Sequence, residues 1–335
     1  MTFIKQSAFT GLSTARPPPT ASGRVYYCTD MPVQYVDDPS GNGWLLFVNG
    51  TYCPKPALAS SYTTVGSIAL TNYADVLRTT IYTDATNTAN CALLPGTLTS
   101  SVPWIVNIVA TFNSINETTY PEMGIIVTNG TTSGVSTGYG LYVLTSTNTL
   151  STINSQFTVG GARTISPSIL SNQNLLAGNG LIHMRLLNDT NNLHYQISSD
   201  GFHWSDAFCA TVPSGLTNFG HYVGSDLSST DSYGQLLVYR NDLITPSQFA
   251  ITGATTASPS VITAIGHNFQ TGDTVSIQNV GGLSGVNSGT NINGIGSSSS
   301  YAWIIQVLSS STFSLIGSTG SSTYTSGGTA TLVGR

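Results

Sequence analysis

The 335-residue chain predicts an all-β protein. Three observations carry this. First, only 7% of residues are charged, against roughly 25% in ordinary globular proteins, and Ser, Thr, Asn and Gly take their place. Long solvated helices need Glu, Lys and Arg on their outer faces. Second, 40% of residues are hydrophobic, which excludes charge-driven disorder. Third, short apolar runs recur between Gly, Asn and Pro turns, and no stretch keeps a helical period. The expected organisation is an extended N-terminal arm (1–22), a small β module (23–57), a two-sheet sandwich (58–247) and a small β-barrel (248–335).

The arm ends in Pro17-Pro18-Pro19. Consecutive prolines force polyproline II and forbid ladder pairing, so the segment reads either as a disordered tail or as an arm that docks on a partner. In the module, Gly23–Cys28, Val33–Val36 and Trp44–Val48 read as strands, joined by Thr29–Pro32 and the turn-rich 37–43. Asp37 and Asp38 lack the regular oxygen spacing of a calcium loop. In the third block, strands are expected at Ala74–Thr83, Trp104–Asn113, Met123–Thr128, Gly140–Leu144, Leu181–Leu187, Leu193–Ser198 and Gln235–Arg240. Trp104–Ala110 and Leu236–Tyr239 are apolar enough to be buried on both faces. About 190 residues of short strands suit a sandwich. In the last block, Val261–Ala264, Thr274–Ile277, Ala302–Val307, Thr312–Leu315 and Thr329–Val333 read as strands around a Gly/Ser/Asn-rich flexible loop (281–300).

The net charge of −5 comes without a basic run, so nucleic acid is not an expected partner. The longest apolar runs are too short to span a bilayer. No signal peptide is visible at the N-terminus, so synthesis in a cytoplasm is expected. Cys28, Cys53, Cys91 and Cys209 have no zinc-type spacing. Cys28 and Cys53 would pair only if a hairpin brought them together; four reduced thiols is the other reading. No cofactor or metal is expected.

The clearest local signal is His194–Ser205. Tyr195 and Ile197 alternate with polar residues, Asp200-Gly201 supplies a turn, and Phe202 and Trp204 restart the alternation. This predicts a β-hairpin in which Asp200 and Gly201 form the turn and Trp204 anchors in the core. His183, His194 and His203 would need one common face and a further ligand to hold a metal. Sugars are held by aromatic faces with amide and carboxylate hydrogen bonds. Loops carrying Asn72 and Tyr73, Asn116 and Tyr120, and Asp226, Asp231 and Tyr233 offer those groups as candidate glycan contacts.

Three stretches resemble known modules. Gly23–Trp44, with its Gly-Arg-aromatic strand, Thr29-Asp30, Asp37-Asp38 and Trp44, is similar to a β module of tailed-bacteriophage structural proteins. There it precedes a concanavalin A-like, laminin G-like jelly roll. Ile182–Leu186, Tyr195–Trp204 and Phe219–Gly224 resemble strands of that jelly roll. Gly266-His267-Asn268-Phe269, Gly272–Val275 and Tyr324–Thr329 resemble a small phage β-barrel related to one domain of the ubiquitin-activating enzyme. The resemblance implies a non-enzymatic virion-surface protein: a tail fibre, head fibre, spike or capsid decoration that binds other virion proteins through its arm. It further implies a homo-oligomer, with a trimer favoured, and the loop residues above make host attachment through carbohydrate binding the expected activity. The alternative is a polysaccharide depolymerase, because the same fold hosts glycoside hydrolases. That chemistry needs two flanking carboxyl groups, and the two glutamates of this chain, Glu117 and Glu122, lack the Asp that lies between the catalytic pair in sandwich glucanases.

Overall fold

Alternation of apolar and polar residues builds strands along the whole chain. The computed structural model describes residues 8–11, 17, 24–29, 34–37, 44–48, 51–53, 56–73, 76–81, 90–114, 121–146, 149–159, 163–165, 181–198, 201, 204–225, 234–288 and 302–334. Among them there is no α-helix, only a 3-10 turn at Ala59–Ser61. No helix is long and apolar enough to cross a membrane.

The first sheet holds β1 (Ala8–Gly11), β2 (Val25–Cys28), β3 (Gln34–Asp37), β4 (Trp44–Val48) and β5 (Thr51–Cys53), in chain order. Strand β1 runs parallel to β2, with Ala8 opposite Val25; the remaining pairs are antiparallel. Four residues of the expected free arm therefore belong to a sheet edge. A parallel pair cannot be closed by a tight turn, and the connection contains the triple proline. A Cβ at Gly11 would lie 2.3 Å from the Tyr26 hydroxyl, so a larger residue there would have to push the end of that side chain aside. Cys28 on β2 and Cys53 on β5 have β3 and β4 between them, and their side chains lie outside the described set.

The sandwich follows as β6 (Thr63–Val65), β7 (Ile68–Tyr73), β8 (Val76–Ile81), β9 (Asn90–Pro95), β10 (Trp104–Ser114), β11 (Pro121–Thr128), β12 (Thr137–Ser146), β13 (Thr149–Thr158), β14 (Arg163–Ile165), β15 (Leu181–Asn188), β16 (Asn192–Ser198), β17 (Ser205–Thr211), β18 (Asn218–Ser225) and β19 (Gly234–Ile244). Two seven-stranded sheets form, in the orders β17-β16-β15-β10-β19-β8-β7 and β14-β13-β12-β11-β18-β9-β6. Neighbours such as β10 and β15 are far apart in sequence, as a jelly roll requires. The inner faces meet through Val106, Ile108, Met184 and Leu186 from one sheet and Ile125, Val127, Phe219 and Val223 from the other. Each such side chain contributes about 1.5–3 kcal/mol on burial. Trp104–Ala110 is buried at every position, as its apolar run predicts. The strand expected over 74–83 appears as Val76–Ile81, and Ile68–Tyr73, read from sequence as leading into a loop at Asn72 and Tyr73, is a further strand antiparallel to it with Tyr73 opposite Val76.

The last sheet contains β20 (Gln248–Ala250), β21 (Gly253–Ala254), β22 (Val261–Thr263), β23 (Thr274–Gln278), β24 (Trp303–Ser309), β25 (Thr312–Leu315) and β26 (Thr329–Gly334), in the order β20-β26-β23-β24-β25-β22-β21. It wraps a core of Ile262, Phe269, Val275, Ile277, Ile305, Phe313 and Leu315. Residues 281–288 are not the flexible loop expected of them. Leu283 and Val286 enter the core, bridges join Gly281 to Ser326 and Ser284 to Ser321, and the Trp303 indole donates to the Val286 carbonyl at 2.7 Å. Two apolar side chains outweigh a polar composition here. Residues 289–300 lie outside the described set. Only residues 245–247 connect sandwich and barrel, with Pro246 buried and Leu332 N–H donating to the Ser247 carbonyl.

Candidate functional site

The first sandwich sheet turns its inner residues Ile182, Met184, Leu186, Leu193 and Tyr195 to the core. Strand alternation then sends His183, Arg185, Leu187, His194 and Gln196 to the outer face. Register aligns one row across five strands. Asp206 lies opposite Gln196, Gln196 opposite Arg185, Arg185 opposite Asn107, and Asn107 opposite Asp242. Most of its side chains bond in sequence. Gln196 donates to Asp206 Oδ1 at 2.7 Å. Arg185 Nε donates to Gln196 Oε1 at 2.5 Å, and Asn107 donates to Asp242 Oδ1 at 3.2 Å. Arg240 closes the row with a bidentate pair to Asp242 at 2.8 and 3.0 Å, the fork geometry that favours Arg over Lys. Arg240 and Asp242 keep 19% and 23% of their side-chain surface exposed.

In its middle, along β15 and β10, the row runs into the contact with the barrel. Ile105 and Leu187 pack against Ala302 and Val333, and the Arg185 guanidinium donates to the Val333 carbonyl. The turn between β15 and β16 reaches furthest. Asp189 Oδ1 accepts the backbone N–H groups of Asn191 and Asn192, and Asp189 Oδ2 accepts from Ser276 Oγ of the barrel at 2.6 Å. Thr190 Oγ1 donates to Gln278 Oε1 at 2.5 Å. Thr190 has φ +84°, a left-handed conformation that a β-branched residue resists.

His194 sits behind this turn, fully buried. Its Nε2 meets Asp189 Oδ2 at 3.2 Å and its Nδ1 meets Asp206 Oδ2 at 2.9 Å. Carboxylate oxygens only accept, so both ring nitrogens donate and the ring is an imidazolium. Burial alone would strip that proton, but attraction to Asp206 and the hydrogen bonds to Asp189 and Asp206 outweigh it and raise the His194 pKa well above 6.5. Asp189 is the mirror case: burial raises its pKa, and His194, Ser276 and Asn192 more than reverse that, leaving it below 3.8. Burial, with Arg240 nearby, lowers Arg185 to about 9 against the pull of Asp206, so the guanidinium stays charged at neutral pH. Two cations and two anions therefore balance in the buried part.

A second buried histidine lies inside the sandwich. His221 Nε2 meets Thr79 Oγ1 at 2.7 Å, and Asn241 Nδ2 donates to its Nδ1 at 3.3 Å. Tyr62 packs edge-on against its ring at 5.7 Å. Burial pulls its pKa down to about 3 and the ring is neutral.

The residues expected from sequence fall elsewhere. Asn72 lies in β7, not in a loop, and its Oδ1 accepts the Ala59 N–H at 2.9 Å, so it fixes the 3-10 turn. Tyr73 ends the same strand, and its side chain is outside the described set, as are Asn116, Glu117, Tyr120, Asp226, Asp231 and Tyr233. Glu122 is on β11 opposite Leu144. In the hairpin, Gly201 has φ +79° and its N–H donates to Ser198 Oγ; Asp200, Phe202 and His203 are outside the described residues. The second strand begins only at Ser205, so the connection is longer than an Asp-Gly turn. Trp204 is not a core anchor. It is partly exposed, bonds the Gly201 carbonyl at 3.1 Å, and carries the Arg185 guanidinium 4.2 Å above its ring. His183 and His194 share the outer face but not a level: His183 pairs with Ser198 and His194 with Leu187. Among the described residues no three His, Cys, Asp or Glu side chains are grouped to hold a metal.

Comparison with known proteins adds the following. Residues 257–334 match the ubiquitin-activating enzyme E1 FCCH domain family. No curated protein matches the chain in sequence. Among solved structures, the chain is similar to a functionally unknown protein from Saccharomyces cerevisiae (14% identity, 57% of this chain and 100% of that one, TM-score 0.41). It is also similar to a legume lectin-like domain from Entamoeba histolytica (11%, 56% and 91%, 0.38). A third is the CBM2 module of the evolved Dit of Lactobacillus casei BL23 phage J-1 (7%, 52% and 80%, 0.32). At such TM-scores these likenesses carry no functional weight; the barrel's family match covers only the last quarter of the chain.

Proposed function

We propose that the chain is a non-enzymatic structural protein of a bacteriophage surface, whose sandwich presents a glycan-binding face. The observation that carries this reading is the partly exposed Arg240–Asp242 pair at one end of the polar row, held in place by the buried Asn107 behind it. Planar amide, guanidinium and carboxylate groups locked in register are the kind of preorganised donors and acceptors that hold sugar hydroxyls. Each guanidinium is already satisfied by a neighbouring acceptor, which suits recognition better than proton transfer. The phage setting rests on the sequence resemblance of the three modules in their order, and the arm with β1 is its proposed attachment to the particle.

Purified chain applied to arrayed host-surface polysaccharides is expected to bind without releasing reducing ends, and Arg240→Ala to weaken binding about tenfold, a loss of about 1.4 kcal/mol. Sugar turnover would favour a depolymerase instead. Immunogold microscopy of intact particles checks the location, and deletion of residues 1–22 is expected to abolish attachment.

A further inference from the structure

We propose that the contact between sandwich and barrel is a charge-gated lock: the barrel stays seated only while His194 holds both ring protons. Its two nitrogens face Asp189 and Asp206, and Asp189 is also the residue that takes the Ser276 hydroxyl from the barrel. Removing one proton leaves either buried Asp189 with only neutral donors, Ser276 and the Asn191 and Asn192 N–H groups, or partly exposed Asp206 without its cationic partner. A buried charge that loses its partner is strongly unfavourable. The group that can leave this environment by moving is the Asp189 turn, whose outward partners are on the barrel.

Among the described residues, no other charge replaces the lost one. From β17, Asp206 and Cys209 face the ring; Cys209 Sγ lies 3.9 Å from Nδ1, and burial is the largest cause holding its thiol protonated. From β15, Arg185 reaches it only through Gln196 and Asp206, and Arg240 lies beyond Arg185. The barrel strand β23 contributes only neutral Ser276 and Gln278, bonded to each other at 3.1 Å. Two further features suit a contact built to open. Thr190 is held at positive φ beside its bond to Gln278. The apolar part of the contact is limited to Ile105, Leu187, Ala302 and Val333 among the described residues.

The lock has two edges in pH. His194 has a raised folded pKa, so its contribution is complete below 6.5 and is lost as pH rises through the folded value. Asp189 has a depressed one, so its contribution is present above 3.8 and is lost as pH falls through its folded value.

Calorimetry of the full chain from about pH 6 to about pH 10 tests this. One shared unfolding transition is expected at the lower pH, splitting into two as pH rises, with new protease cleavage at 245–247. His194→Gln should show two transitions throughout. Because that variant also disturbs the sandwich, the barrel-side pair Ser276→Ala with Gln278→Ala is measured beside it and should split the transition with the sandwich component unmoved. A single transition across the whole range, two transitions already at pH 6, an unsplit double variant, or a neutral His194 imidazole by nitrogen NMR at neutral pH would each overturn the proposal.

Discussion

His194 and His221 are both fully buried and both bonded at each ring nitrogen, yet they hold opposite charge states. His194 meets two carboxylates at the edge of the sandwich, where the barrel arrives. His221 meets a hydroxyl and an amide between the two sheets. Burial disfavours the charged form in both. What differs is whether the partners bring compensating charge, and that decides the sign of the shift. The two therefore respond to pH from opposite sides: the interior site loses stability in acid, the seam in alkali.

Four measurements sharpen or break this contrast. The largest effect is expected from Asp189→Ala, which strands buried His194: about 3–5 kcal/mol in urea denaturation, with the barrel's transition moving most. His221→Leu comes next. It leaves Thr79 and Asn241 without their partner, for about 2 kcal/mol at pH 7. Its sign in acid is the sharper test. The unfolded imidazole takes its proton near 6.5 and the folded one near 3, so the native chain loses stability as pH falls through that window. The Leu variant should lack this component, and its deficit should shrink toward pH 3; a deficit that stays constant would break the contrast. Arg185→Lys keeps the charge but loses the fork and the stacking on Trp204, for about 1–2 kcal/mol by thermal melting. Asp242→Asn, at the partly exposed end of the row, should cost no more than about 1 kcal/mol while still reducing glycan binding.

The strands of the sandwich were legible because their apolar alternation is local. Trp104–Ala110 and Leu181–Asn188 announce themselves within a few residues. The polar row was not legible, although its members sit in that same alternation: His183 and Arg185 between Ile182, Met184 and Leu186, and Gln196 between Tyr195 and Ile197. Which polar residues meet depends on β10 pairing with β15 and β19, and no local pattern encodes a register between strands so far apart in sequence. Trp204 was misplaced for a related reason. An aromatic after a turn reads as core, but here the face it occupies belongs to Arg185. Asp189 and Thr190 look like ordinary turn residues until the barrel is placed beside them. The charge-poor composition was itself a signal: in a chain with few charges, Arg185, Asp189, Asp206, Arg240 and Asp242 on one face mark it out.

The three-residue link at 245–247 sets how an opened seam behaves. A short tether holds two surfaces at an effective concentration on the order of millimolar or above, so a contact too weak to join separate molecules still closes within one chain. Opening then is a unimolecular, concentration-independent event that reverses as soon as the charge returns. The same sandwich and barrel supplied as two pieces would ignore each other.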